Sequence, residues 1–157
     1  MFSRFIIGWL RAGALNWTCG PMVAESSQII VKDIILPNLI WRSGKVEGTV
    51  RKVALVALHS LLRAGSVSRD ILFNVASELV PAVVSNLDDM EATPRQLCCF
   101  CLEILFTRLR GAFSEQSIYE IYHKLLKRLD DSNDSIRKAI CKTLCSFLLC
   151  SDPKYFR

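Results

Sequence analysis

Residues 122–148, YHKLLKRLDDSNDSIRKAICKTLCSFL, decide the fold of this chain. With the residues just upstream, Ile118, Ile121, Tyr122, Leu125, Leu126 and Leu129 fall at i, i+3, i+4, i+7, i+8 and i+11. That spacing lays one apolar stripe along a helix of period 3.6. The run Asp130-Asp131-Ser132-Asn133-Asp134 interrupts the stripe, and a second one follows through Ile136, Ala139, Ile140, Leu144, Phe147 and Leu148. The stretch therefore predicts two amphipathic helices joined by a polar turn. Ser117 and Glu120 stand at capping-box spacing, which places the start of the first helix at Ser117.

The same plan occurs twice more upstream. Leu36–Leu62, Val80–Phe106 and Tyr122–Leu148 align without a gap at offsets of 44 and 42 residues. Leu39, Val83 and Leu125 share a column, as do Leu58, Leu102 and Leu144, and Leu61, Leu105 and Phe147. Val50, Pro94 and Ile136 align too, each followed by an arginine: Arg51, Arg95 and Arg137. In the second unit Ser68 opens a helix through Ile71, Leu72, Val75, Leu79 and Val83, and Thr93-Pro94 reads as the cap and first position of the next. In the first unit helices are expected over about Ser27–Trp41 and about Thr49–Arg63, the latter stopped by Gly65.

Helix pairs at this period match the roughly 40–47 residues of HEAT and armadillo units rather than the shorter ankyrin or tetratricopeptide repeats, and two helices per unit favour HEAT. The column of Pro37 and Pro81, which should bend each first helix, and the acidic turn before the aligned arginine also resemble the HEAT pattern. The expectation is an all-α chain, an α-solenoid of about three HEAT-type helix pairs with ARM-repeat superfamily architecture. The units are 27–66, 67–112 and 113–151, with an N-terminal segment 1–26 and a tail 152–157.

Composition agrees with this and excludes other classes. The chain has 157 residues, of which 51% are hydrophobic and 22% charged, too apolar for a disordered chain. Seven glycines and five prolines are too few for a many-stranded β fold. No uncharged apolar run approaches the roughly 18–20 residues of a membrane span. The net charge of +5 is spread along the chain rather than concentrated on one segment, so neither nucleic acid nor membrane is the expected partner. Residues 1–24 hold Arg4 and Arg11, no acid, and the run Phe5-Ile6-Ile7-Gly8-Trp9-Leu10. This reads as the last helix of a truncated preceding repeat or a non-homologous start, with a targeting presequence as the alternative.

Candidate chemistry is sparse. His59 and His123 lie in no metal-binding spacing, and no Walker loop, G-x-G-x-x-G or G-x-S-x-G occurs. The pairs Asp88/Asp89 and Asp130/Asp131 recur ahead of helix starts, where they soften the positive end of the helix dipole. Cys98, Cys101, Cys141 and Cys145 could in principle make a four-thiolate zinc or redox site. However, Cys98 aligns with Ala54 and Ile140, Cys101 with Ala57 and Thr143, and Cys99 with Leu55, so small buried hydrophobes are expected. Cys141 shares the column of Leu55 and Cys99, and only Cys145 and Cys150 are expected to be exposed. No cofactor or metal site is expected. The candidate site is the ridge of Arg51, Arg95 and Arg137, either a structural ladder bonding loop acids such as Glu47, Glu91 and Asp134 or a basic stripe for an acidic partner.

Two stretches carry a family resemblance. Val31-Lys32-Asp33-Ile34-Ile35-Leu36-Pro37-Asn38-Leu39-Ile40-Trp41-Arg42-Ser43-Gly44 is the more specific; Leu125-Leu126-Lys127-Arg128-Leu129-Asp130-Asp131-Ser132-Asn133-Asp134-Ser135-Ile136-Arg137 is closer to a generic HEAT unit. Both resemble HEAT-repeat assembly factors for axonemal dynein, over about residues 28–150. The resemblance implies a cytoplasmic, non-catalytic scaffold whose partners are axonemal dynein intermediate and heavy chains, other assembly factors and chaperones. The alternative is a general HEAT adaptor in transport or phosphatase-type complexes. With Phe5, Ile6, Ile7 and Trp9 at one end and Leu144, Phe147 and Leu148 near the other, neither end carries the polar cap a solenoid needs. The isolated chain is therefore expected to self-associate, and sedimentation at micromolar concentration checks this, a monodisperse monomer being the contrary result.

Overall fold

A computed structural model describes residues 26–151. The N-terminal residues that suggest a truncated repeat, Phe5, Ile6, Ile7 and Trp9 among them, and the tail 152–157 lie outside the described residues. A helix widens to a π turn over Ile30–Ile35 and continues as α1 (Leu36–Leu39). The remaining helices are α2 (Lys45–Ala64), α3 (Arg69–Ser85), α4 (Ala92–Arg108), α5 (Glu115–Lys127) and α6 (Asp134–Cys150). Short 3-10 turns, Asn86–Asp88 and Arg128–Asp130, prolong α3 and α5. No strand occurs among the described residues.

Local chemistry accounts for where the helices begin and end. Pro37 has no N–H to donate. Just before it the Leu36 N–H reaches five residues back to Val31 O, so the ladder is widened where the proline enters it. Pro81 lies inside α3 without ending it. Gly65 stops α2 in the left-handed conformation, φ +70°, its N–H turned onto the carbonyls of Leu61 and Leu62. Ser68 caps α3 by accepting from the Ile71 N–H at 3.3 Å.

Three starts differ from the expected ones. α2 begins at Lys45 rather than near Thr49, since Gly44 at φ +129° turns the chain early. α4 begins at Ala92, so Pro94 is its third residue, where its missing N–H is one the first turn leaves unpaired in any case. α5 is capped by Ser114 rather than Ser117: the Ser114 hydroxyl accepts from the Ser117 N–H at 3.2 Å and lies 2.9 Å from the Ser117 hydroxyl.

The helices stack as two rows. α4 packs against α2 on one side and α6 on the other, while α1, α3 and α5 form the second row, each against its own partner. The aligned columns supply the core. Leu39, Val83 and Leu125 are fully buried, as are Leu58 and Leu102, and Leu61, Leu105 and Phe147 are buried. Phe106 bridges two pairs, its ring 5.1 Å from Phe147 in an edge-on contact. Arg69–Asp88 is the one described stretch long and apolar enough to cross a membrane, but its Ile71, Leu72, Val75, Leu79, Val80 and Val83 face this core. The arrangement is an all-α solenoid of stacked helix pairs.

If the shared columns carry the core, Leu102→Ala should cost about 2–5 kcal/mol, whereas Leu149→Ala, whose side chain is exposed on α6, should stay within about 0.5 kcal/mol. Urea unfolding of the two variants decides, and equal losses would contradict the assignment.

Candidate functional site

The arginine column is where the pairs are joined. Arg51, on α2, reaches across to the second pair and donates from Nε (3.1 Å) and Nη2 (2.9 Å) to Asp89 Oδ2. Arg95, on α4, repeats the gesture toward the third pair, with Nε 2.8 Å from Asp131 Oδ2 and Nη2 3.0 Å from Asp131 Oδ1. Each arginine also bonds the turn before its own helix. Arg51 Nη1 donates to Arg42 O (2.7 Å), and Arg95 Nη1 to Asp89 O and Met90 O (3.0 Å each). Arg51, Arg95, Asp89 and Asp131 are all buried.

The aspartates close the rung from the other side. Asp89 Oδ1 accepts from the Glu91 N–H at 3.0 Å, and Asp131 Oδ1 from the Asn133 N–H at 2.9 Å, so each carboxylate also shapes the turn that leads into α4 or α6. One guanidinium and one carboxylate thus hold two polar turns and two helix pairs together. The planar fork of arginine makes this possible; a lysine has one point of charge. Asn86 adds a neutral clamp, its side-chain amide donating to Leu39 O (2.8 Å) of the first pair and to Ala82 O (2.7 Å).

Charge neighbours set the protonation of these groups. Burial alone would push the Asp131 carboxyl up, but the Arg95 hydrogen bonds, the Asn133 N–H and the charges of Arg95 and Arg128 outweigh it and hold it below the usual carboxylate range. On the surface Asp88 gathers Lys124, Lys127 and Arg128 from the third pair. Its partial burial opposes ionisation, but Arg128 and Lys124 outweigh this and lower its pKa.

The acids differ from those expected. Glu47 and Glu91 do not bond the ridge, and Asp134 bonds only Arg137 and Lys138 of its own helix. Their places are taken by Asp89 and Asp131, for which the sequence suggested a helix-dipole role. The signal was present: each precedes an aligned arginine by six residues, in two units. Asn86 had none, since Arg42 and Arg128 share its column. Arg137 is only half-buried and, among the described residues, belongs to no inter-pair rung.

The cysteines split by position. Cys98, Cys99 and Cys101 are fully buried. Burial pushes all three thiols up, Cys99 to about 12, so they stay protonated and unreactive. Cys145 is exposed, and Cys141, expected to be buried in the column of Leu55 and Cys99, is exposed as well, whereas Cys150 is buried with its thiol 3.6 Å from Leu109 O; the expected burial of Cys141 and exposure of Cys150 are both corrected. Among the described residues no group of three or more His, Cys, Asp and Glu side chains stands close enough to hold a metal ion. His123 is on the surface, its Nδ1 2.9 Å from Tyr119 O. His59 is half-buried, and burial together with Arg63 lowers its pKa.

Helix pairs joined by buried arginine–aspartate rungs define the class: an α-solenoid. Sequence comparison shows which proteins the chain is similar to. The chain is similar to Dynein axonemal assembly factor 5, being 32% identical to the Xenopus laevis protein over 131 residues, 83% of the chain. It is 29% identical to the Homo sapiens protein over 123 residues and 27% to the Mus musculus protein over 122, each 78% of the chain. The chain spans 14–16% of the length of these relatives. No family model matches the chain, and no solved structure does.

Removing one half of a buried rung leaves the other half charged and unpaired, so Arg95→Ala should cost about 3–5 kcal/mol at neutral pH, with Arg95→Ala/Asp131→Ala less destabilised than the two single losses combined. Because the folded Asp131 pKa lies below its unfolded value of about 3.9, its stabilisation is present above that value and lost as pH falls through the folded one. Urea unfolding between neutral pH and pH 3 should show a shallower acid loss in Asp131→Asn than in the parent chain; identical acid limbs would contradict the rung's role.

Proposed function

We propose that this chain acts as a non-catalytic HEAT-type scaffold in the cytoplasmic preassembly of axonemal dynein arms, contacting dynein intermediate and heavy chains, other assembly factors and chaperones. The observation that carries the reading is the match to Dynein axonemal assembly factor 5 in three vertebrates over about four fifths of the chain. A match of that extent covers far more than one helix pair, so it exceeds what a shared repeat pattern requires.

The chemistry of the chain supports a binding role. Its buried acids and bases are spent on the rungs, and its buried thiols are held protonated. What remains for function is surface: stacked pairs present a long face whose loops vary while the rungs keep their spacing. Trp41 and Met90, on the turns that lead into α2 and α4, are exposed.

Tagged chain recovered from ciliated cells should bring down axonemal dynein intermediate or heavy chains, read by immunoblot, and should fractionate with the cytosol. Recovery of a transport or phosphatase complex in their place, equally from non-ciliated cells, would overturn the dynein reading in favour of a general adaptor.

A further inference from the structure

Between α3 and α5 the second row of helices is open. The two helices meet sparsely and leave a groove of about 410 Å³ between them. Val80 and Val84 of α3 and Ile121 of α5 form its floor, with Pro81 and Phe113 on its walls. The floor is buried beneath the groove, while Pro81 stands exposed at its edge. Pro81 has no N–H to return to the Ser77 carbonyl, so one wall also presents a backbone acceptor that the helix ladder does not use. A further helix pair at either end of the stack would not fill this space. The pairs on both sides of it are already in place, and a neighbour stacked in register meets the outer side of the first or third pair.

We propose that this groove docks one amphipathic helix of a separate protein, its apolar stripe on the valine and isoleucine floor and its acidic end against Lys124, Lys127 and Arg128. Charge complementarity carries the argument. Lys124 closes the groove where both helices finish, and Lys127 and Arg128 follow within the next turn. A single acid, Asp88, lies among the three cations, at 3.4, 3.7 and 2.5 Å. Positive charge is therefore left in excess, and the side chains of Lys124 and Lys127 are 45% and 69% exposed. The acid within the lining, Glu120, accepts from Gln116 Nε2 at 2.6 Å on its own helix. The chain's own apolar segment does not fit: residues 1–24 hold Arg4 and Arg11 and no acid, and would bring like charge to Lys124. An apolar groove of this form takes a helix through anchors at i, i+3, i+4 and i+7. The inference assigns a surface and a partner chemistry, and stands whether or not the partner is a dynein chain.

The test uses the full chain and two fluorescein-labelled helical peptides with the same leucine stripe. One carries glutamates in its last turn and the other lysines, so the peptide's own helix dipole gives the acidic one no advantage. Fluorescence anisotropy should show the glutamate peptide binding about ten-fold more tightly. Lys124→Glu with Lys127→Glu should reverse the order. The bound glutamate peptide should also slow iodoacetamide alkylation of a thiol placed on the groove wall by Ser77→Cys. The rate is read residue by residue by mass spectrometry, with exposed Cys145 as the internal reference. The proposal is overturned if neither peptide binds, if the lysine peptide binds the parent chain equally well, or if the introduced thiol reacts as fast with peptide bound. It is also overturned if that thiol is protected before peptide is added, in this chain or in a longer form of the same polypeptide, since the occupant is then a segment of the protein itself. Protection that rises with chain concentration would overturn it in favour of a second copy.

Discussion

A guanidinium buried against a carboxylate of the next unit is the constraint on which the rest of the stack depends. Helix pairs of this kind bury apolar surface only against their neighbours, and apolar contact alone is tolerant of sliding. The Arg51–Asp89 and Arg95–Asp131 pairs are not, because two N–H groups must meet one carboxylate while the third points to a turn carbonyl. Burying such a pair is costly, and replacing it by well-packed apolar groups is often neutral or better for stability. Its contribution here is register: it allows one relative placement of consecutive pairs, which the leucine columns alone would leave loose.

The rungs also explain the turns. Asp89 and Asp131 each accept a backbone N–H two residues on, and each follows a 3-10 turn that ends the preceding helix. The first pair has no such aspartate, and there α2 begins early, at Lys45, after Gly44. The acid that locks the interface and the acid that sets the helix start are therefore the same residue, and a unit without it loses both properties together.

The helical content and the repeat were readable because they rest on periodicity, which burial forces on the sequence: Leu39, Val83 and Leu125 must all be apolar for the rows to close. Gly65 and Ser68 were readable as punctuation for the same local reason. Ser114 against Ser117, and Ala92 against Thr93-Pro94, were not, since several residues in each stretch could supply a cap and tertiary packing selects one. The arginines of the site were visible as a column. Their partners were misassigned because sequence shows which acids are near in the chain, whereas Asp89 and Asp131 are near across a helix pair. Cys150 went astray similarly: its helical phase points outward, yet the Leu109 turn at the end of α4, in the preceding unit, folds over it.

The ladder has a mechanical corollary. Its rungs join residues 38 and 36 positions apart in the chain, and each ties one pair only to the next. Load applied along the axis is therefore carried through the interfaces in series, each bearing the full force and yielding in its own right. A solenoid so connected lengthens by small adjustments shared among its junctions. When it fails, it gives way at one junction rather than throughout, and the helix pairs on either side keep their shape.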